Sequence, residues 1–365
     1  MNEDKIKDVE DEIRRTPYNK ATQHHIGRLK AKLSRLREES RSAEEARKST
    51  KSSGYSVKKS GDATVILVGL PSVGKSTLLN KLTKAKSKIA EYAFTTVSVE
   101  PGMMEFKGAR MQILDIPGLV EGASRGRGRG KEILSVIRSA DLIVLLIDVF
   151  NLKQLDVITK ELYNAGVRLD GRPPDVKINK KLRGGITVNT TLELTKLDEK
   201  TIKVILQEYG YHNVDIVIRE DVSIDGLIDA INQNRIYTPS LIALNKVDLV
   251  TDKYLKEVSS QLPKDFLSIS AETKQNIEKL KETMYRRLRF IRVYLKPQGE
   301  DADFDEPMIL IDGTTVGDVC NHLHTKIKEE FRYARVWGNS VKYGGHMVGV
   351  KHVLKDEDVL TIVGS

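Results

Sequence analysis

An α/β fold with a mixed, mostly parallel sheet is what this sequence predicts, and three observations predict it. The apolar run at 64–68 feeds a glycine turn that opens a helical pattern. The continuous apolar stretch at 142–147 reads as a parallel strand buried on both faces. Three further strand-like segments end in Asp115-Ile-Pro-Gly118, Asn245-Lys246-Val-Asp248 and Ser270-Ala271-Glu272, each a polar cluster closing an apolar run.

Composition narrows the class. At 365 residues the chain is long enough for two or three domains. One cysteine, Cys320, excludes an internal disulfide framework and fits a reducing cytosol. The first residues are too polar for a secretory signal, and the longest apolar run stops at Asp148, too short to cross a bilayer. A cytoplasmic protein with no membrane partner is expected. The net charge of +9 and pI near 9.2 favour a polyanionic partner.

In chain order, Ile6, Val9 and Ile13 lie at helical spacing, Pro17 interrupts, and Ile26, Leu29, Leu33 and Leu36 begin a second helix. Residues 1–60 thus read as an N-terminal helical basic region. Between Arg28 and Lys59 stand eleven Lys or Arg against four acids. Either a solvated helix with a charged linker or an arm lying on RNA phosphates accounts for that excess. Residues 49–60, rich in Ser, Lys and Gly, read as a tether.

The turn Gly69-Leu-Pro71-Ser72-Val73-Gly74-Lys75-Ser76-Thr77 has the G-x-x-x-x-G-K-S spacing of a phosphate-binding loop. Its glycines let backbone N–H groups and the helix N-terminus cradle phosphate oxygens. Lys75 reaches the β- and γ-phosphates, and Ser76 places its hydroxyl on Mg²⁺. A polar loop at 89–96 then offers Thr95 and Thr96. Thr96 is the preferred residue to complete Mg²⁺ coordination and meet the γ-phosphate as a switch. Asp115 holds Mg²⁺ through water, and the Gly118 N–H faces the γ-phosphate. Mg²⁺ is therefore expected at Ser76, Thr96 and Asp115, with Lys75, Thr96 and Gly118 serving hydrolysis.

Leu119 stands where a water-orienting glutamine follows the D-x-x-G glycine in Ras-like enzymes, and leucine cannot hold a water. Slow intrinsic hydrolysis is expected. The run at 122–131, with Arg125, Arg127 and Arg129 among its glycines, reads as a hinge, with an RNA or phosphate contact as the alternative.

Residues 141–148 form the buried strand and 153–165 a helix. Asp248 then selects guanine by accepting from N1–H and the 2-amino group, Asn245 ties the loop together, and Lys246 covers the base. Ser270, Ala271 and Glu272 offer backbone that backs up guanine O6. From Gly118 to Asn245 the chain runs 127 residues, whereas two helix-plus-strand units need about 60 at roughly 30 each. The surplus marks an inserted small α/β module at about 167–237, with strands near 186 and 214 and a helix at 198–209. Asn189-Thr190-Thr191 matches a glycosylation sequon without consequence in a cytosolic chain.

The GTPase domain thus spans 61–289. Residues 290–365 give two strands, a helix at 316–331 and two more strands, a compact ubiquitin-like β-grasp. Cys320, His322 and His324 stand two apart on a helix and point away from one another, so a metal site is not expected there. Lys342, Tyr343, His346, Lys351 and His352 are either a contact surface for RNA or protein or ordinary exposed residues.

These residues carry a resemblance. Gly69-Leu-Pro-Ser-Val-Gly-Lys-Ser76, Tyr92-Ala-Phe-Thr-Thr96, Asp115-Ile-Pro-Gly-Leu-Val-Glu-Gly-Ala123, the Arg125 to Lys131 run, Asn245-Lys-Val-Asp248 and His352-Val-Leu-Lys-Asp-Glu-Asp358 make the chain similar to the developmentally regulated GTP-binding proteins, relatives of the Obg GTPases. The resemblance implies an N-terminal helical region, a GTPase domain interrupted by a ribosomal-protein-like insert, and a C-terminal TGS domain. It implies GTP and Mg²⁺, binding to ribosome or RNA in translation, and a small partner protein. K⁺ enters as a candidate accessory cation, with Ser72 standing where potassium-using relatives often carry asparagine. The competing reading is an RNA- or ribosome-binding scaffold for which GTP is mainly a structural ligand, and Leu119 gives it its footing.

Overall fold

A computed structural model describes residues 2–48, 60–83, 100–116, 136–323 and 325–364. The chain divides into two compact units, Met1–Gly54 with Gly166–Tyr237, and Tyr55–Ala165 with Thr238–Ser365.

The larger unit is built on a six-stranded sheet in the order β11-β10-β4-β1-β3-β2. Its strands are β1 (Ala63–Val68), β2 (Glu100–Phe106), β3 (Ala109–Asp115), β4 (Leu142–Asp148), β10 (Ser240–Asn245) and β11 (Phe266–Ser268). All pairs are parallel except β2 with β3, joined by the tight turn at Lys107 and Gly108. β1 is buried at every position and β4 at all but Asp148, which is why both read as uninterrupted apolar runs. Helices α3 (Lys75–Leu82), α4 (Lys153–Asn164), α7 (Asp252–Ser260) and α8 (Ile277–Arg287) belong to this unit. Leu78, Leu79 and Leu82 of α3 and Leu280 and Met284 of α8 fill the same core as Val65, Leu67, Ile113 and Val144.

That core continues through Phe290 into a second sheet, ordered β13-β12-β16-β14-β15. It comprises β12 (Phe290–Leu295), β13 (Met308–Ile311), β14 (Phe331–Trp337), β15 (His346–Val348) and β16 (Asp358–Gly364). Val316, Val319 and Cys320 of α9 (Val316–Leu323) pack on Val293, Val336 and Leu360. The helix expected over 316–331 is shorter. α9 ends at Leu323, α10 covers Thr325–Glu329, and Phe331 already belongs to a strand. The reason is the alternation of Ala334 and Val336 toward the core, joined by Phe331 across an irregularity between Phe331 and Tyr333, a strand signal that continuous helical counting obscures. β15 carries only one buried residue, Val348, and has no periodicity to betray it.

The smaller unit joins the N-terminus to the inserted segment. Helices α1 (Asn2–Arg15) and α2 (Gln23–Lys48) pair through Val9, Leu29 and Leu36. β5 (Val167–Leu169) and β9 (Ile236–Thr238) flank the insert, with the Ile236 N–H donating to Gly166 O at 3.0 Å. Between them lie β6 (Val176–Lys180), β7 (Ile186–Thr190), α5 (Glu199–Glu208), β8 (Val214–Ile218) and α6 (Ile224–Asn232), the sheet running β6-β8-β7.

Ile26 and Ala31 of α2 are buried in the insert's own core, beside Ile202, Ile205 and Ile228. Gly27 sits so close to α5 that a Cβ there would stand 2.9 Å from Thr201 Cγ2. Residues expected to form a separate N-terminal region therefore complete the hydrophobic core of the insert. β6 and α6 add to the strands and helix that the sequence marks there.

Candidate functional site

The phosphate-loop residues lie between β1 and α3. Gly69 is required by space, since a Cβ would fall 2.6 Å from Leu146 O. Gly74 is required by conformation and space together: its φ is +95°, and a Cβ would meet Asn245 Nδ2 at 2.5 Å. Ser72 adopts φ +65°, a left-handed conformation unusual for serine and characteristic of strained loops at binding sites. Pro71 and Ser72 are exposed, Val73 buried and Thr77 half-buried. Among the described residues no side chain caps the N-terminus of α3, which leaves its first N–H groups available to an anion.

Lys75 is buried and folds back on the loop, its Nζ donating to Gly69 O at 3.0 Å and Leu70 O at 3.1 Å. Burial pulls its pKa below the ordinary lysine value, with Asp115 opposing the shift. A desolvated cation whose hydrogen bonds among the described residues go to carbonyl groups is one that an arriving phosphate would complete.

Ser76 Oγ donates to Asp115 Oδ2 at 2.7 Å. Asp115 is buried at the end of β3, and its other oxygen, Oδ1, has no hydrogen-bond partner among the described residues. A hydroxyl and a carboxylate with an unpartnered buried oxygen form a hard-oxygen donor set that fits Mg²⁺. Thr95, Thr96, Gly118, Leu119 and the 122–131 run lie outside the described residues.

The base-side motif stands at the end of β10. Asn245 is buried and bridges two loops: Nδ2 donates to Val73 O at 2.8 Å, and Oδ1 accepts from the Ala271 N–H at 3.0 Å. One side chain thus locks phosphate loop, base loop and the segment after β11 into a single arrangement. The Ala271 N–H, one of the backbone groups of the 270–272 stretch, donates here to Asn245. Ser270 is buried, its Oγ accepting from the Thr273 N–H at 3.0 Å, while Glu272 is exposed. Asp248 is exposed with no ion pair among the described residues, so its carboxylate is free to accept.

Lys246, at φ +66°, pairs with Asp148 Oδ2 at 2.7 Å. Asp148, opposite Asn245 in the β4–β10 register, also accepts from the Phe150 N–H at 3.0 Å. Sequence reasoning passed over Asp148. The signal was a carboxylate closing an otherwise apolar strand, the pattern that marks Asp115.

The C-terminal residues noted in the sequence are ordinary in part. His352 Nε2 and Ser340 Oγ lie 2.9 Å apart, and the Tyr343 and His346 rings meet edge-on at 4.6 Å. Among the described residues no cluster of metal-binding side chains occurs, and no helix is long and apolar enough to cross a membrane.

Comparison with known proteins follows the same divisions. Residues 64–180 match a family described as 50S ribosome-binding GTPase, 183–290 the C-terminal region of that domain, and 291–364 the TGS domain. The chain is 54% identical over 364 residues to a GTP-binding protein of Methanocaldococcus jannaschii, covering 99% of this chain and 92% of that one. It is 44% identical to "Developmentally-regulated GTP-binding protein 2 homolog" of Dictyostelium discoideum, covering 99% and 98%. Identity to "Developmentally-regulated G-protein 3" of Arabidopsis thaliana is 42%, covering 98% of each.

Proposed function

The chain belongs to the developmentally regulated GTP-binding protein family, and from that premise we propose that it is a cytoplasmic, Mg²⁺-dependent GTPase whose nucleotide state sets its affinity for the ribosome or RNA. The observation that carries the reading is the Asn245 bridge, which holds the Lys75 loop and the Asp248 loop at one end of one sheet. A triphosphate and a guanine must be gripped at once, and this bridge fixes the spacing between their two grips.

In this reading Lys75 exchanges its two carbonyl contacts for the β- and γ-phosphate oxygens. Ser76 and, through water, Asp115 would hold Mg²⁺, which would supply positive charge to those oxygens. Thr96 and Gly118 meet the γ-phosphate and report its loss. Asp248 accepts from the guanine edge, which adenine cannot satisfy, and the Lys246 stem covers the base plane while Asp148 fixes its ammonium. Leu119 offers the attacking water no hydrogen bond, so intrinsic turnover is slow and depends on a partner, a monovalent cation such as K⁺ or another residue of the chain.

Lys75→Ala should abolish nucleotide binding or turnover, and Asp248→Asn should weaken preference for guanine. Unchanged kinetics in both would remove the site assignment. The switch is tested by co-sedimenting the full chain with ribosomes in GDP and in a non-hydrolysable GTP analogue, at two salt concentrations. Stronger pelleting with the triphosphate supports the switch, and equal pelleting in both states assigns a scaffold instead.

A further inference from the structure

The sheet of the smaller unit has two unlike faces. Val176, Ile178, Val188, Ile216 and Ile218 point into the core shared with α2, α5 and α6. The alternate positions carry Lys177, Asn179, Thr187, Asn189, Asp215 and Val217. Lys177, Asn179, Thr187 and Asn189 are exposed. The β6–β7 loop extends this face with Lys181, a fully exposed Leu182, an exposed Arg183, and Gly184 and Gly185 at φ +106° and +72°.

The charge on this face is not neutralised within the unit. Its one acid, Asp215, is taken by Lys181 at 2.6 Å, whose Nζ also donates to Thr187 Oγ1 at 2.9 Å. Lys177 and Arg183 have no ion-pair partner among the described residues. The cations of α2 differ. Lys30 pairs with Asp225 at 2.7 Å, Arg37 with Glu10 at 2.7 Å, and Arg28 and Arg35 with Glu208 at 3.8 and 3.3 Å. The described part of the basic N-terminal region directs much of its charge at its own unit, whereas the sheet face directs its charge at solvent.

We propose that this face binds the phosphate–ribose surface of duplex RNA. The inference rests on the RNA- or ribosome-directed reading above and names the surface that serves it. Free cations meet phosphate oxygens, while Asn179, Asn189 and Thr187 offer hydrogen bonds suited to 2′-hydroxyl and phosphate groups. Val217 is the one apolar residue among the six, too little for the buried centre of a protein interface. No aromatic side chain stands among them, so the face lacks the stacking platform that captures single strands.

The test is fluorescence anisotropy of the full chain, saturated with a non-hydrolysable GTP analogue, against a labelled RNA duplex of about 16 base pairs and a single strand of equal length. Wild type should prefer the duplex. Lys177→Glu/Arg183→Glu should weaken duplex binding by about tenfold or more, and lower the slope of log affinity against log salt by about 2, one unit per lost phosphate contact. Lys200→Glu/Lys264→Glu, the same charge change at exposed positions off this face, should alter affinity less than about twofold. Asn189→Glu, away from the loop, should reproduce the direction of the first pair, and thermal melting with guanine-nucleotide binding confirms that each variant folds.

Unchanged duplex affinity in the folded Lys177/Arg183 variant, or equal loss in the Lys200/Lys264 variant, overturns the proposal. Wild type that ignores duplex RNA yet pellets with ribosomes in the triphosphate state also overturns it, pointing this face toward protein, and leaves the switch standing. Wild type that does neither removes both readings.

Discussion

Asn245→Ala is the substitution from which the larger unit has most to lose at least change in shape. The side chain makes two hydrogen bonds, to Val73 O at 2.8 Å and from the Ala271 N–H at 3.0 Å, with Val73, Asn245 and Ala271 all buried. Truncation orphans two buried groups, the Val73 carbonyl and the Ala271 N–H, at about 1–3 kcal/mol each, so it should cost about 2–6 kcal/mol. At about 2–4 °C per kcal/mol for a unit of this size, the melting point should fall by roughly 4–24 °C. Differential scanning calorimetry of the nucleotide-free chain reads this directly. Asn245→Asp should be at least as damaging, because it retains the acceptor for Ala271 but turns a carboxylate oxygen toward the Val73 carbonyl. A shift below about 2 °C for the alanine variant would mean that the three loops are held apart from Asn245, and the bridge would lose its place in the functional reading.

Lys75→Met retains bulk and removes a buried cation. Because burial lowers the Lys75 pKa below 10.5, the native state releases its proton before the unfolded state does. Wild-type stability relative to the variant should therefore rise with pH through the window just below 10.5. Saturating guanine nucleotide should flatten that difference, as phosphates supply the missing counter-charge. Tyr285, buried between the Phe106 and Phe290 rings, has its phenol pushed up to about 12 by burial from an ordinary 10.0, and its hydroxyl has no hydrogen-bond partner among the described residues. The native state retains that proton between pH 10 and 12 while the unfolded state loses it, so this contribution is complete below pH 10 and disappears toward 12. Tyr285→Phe should abolish that alkaline dependence in urea titrations and at neutral pH be neutral or stabilising by up to about 1 kcal/mol. Asp198→Ala removes the cap of α5, whose carboxylate accepts from the Thr201 N–H at 2.7 Å, and should cost about 1 kcal/mol in denaturant unfolding at pH 7. The Thr201 bonds hold the Asp198 carboxyl below its ordinary 3.8, so the loss should shrink as pH falls below that value.

The phosphate loop, its carboxylate and the base motif were legible because each closes a strand whose apolar run is uninterrupted, and the chemistry of each demands particular residues at fixed spacing. What spacing cannot report is a bond made by a side chain across the fold. Asn245 reads as a loop tie, yet its partner in the phosphate loop, Val73 O, is 172 positions away. The commitment of the Ala271 N–H is invisible for the same reason. Asp148 was missed because a lone aspartate at a strand end matches no motif; only the β4–β10 register sets it opposite Asn245 and within reach of Lys246. The helical periodicity of the first residues was readable, but not its destination. Ile26 reads as part of one apolar face with Leu29, Leu33 and Leu36 until the insert supplies Ile202 and Ile205.

That union of distant segments changes what the basic N-terminal region does. A run of lysine and arginine reads either as a solvated charged helix or as an RNA-facing arm, yet cations of α2 pair with Asp225 and Glu208 of the insert. Such partly exposed pairs add little energy each, so the anchor is apolar burial, and the pairs set orientation. The effect is to place opposite charges between two segments that the sequence separates by more than a hundred residues, leaving the β6-β8-β7 face free of acids other than the neutralised Asp215. Net charge favours a polyanionic partner, but which surface is open to one depends on which cations the fold has already paired.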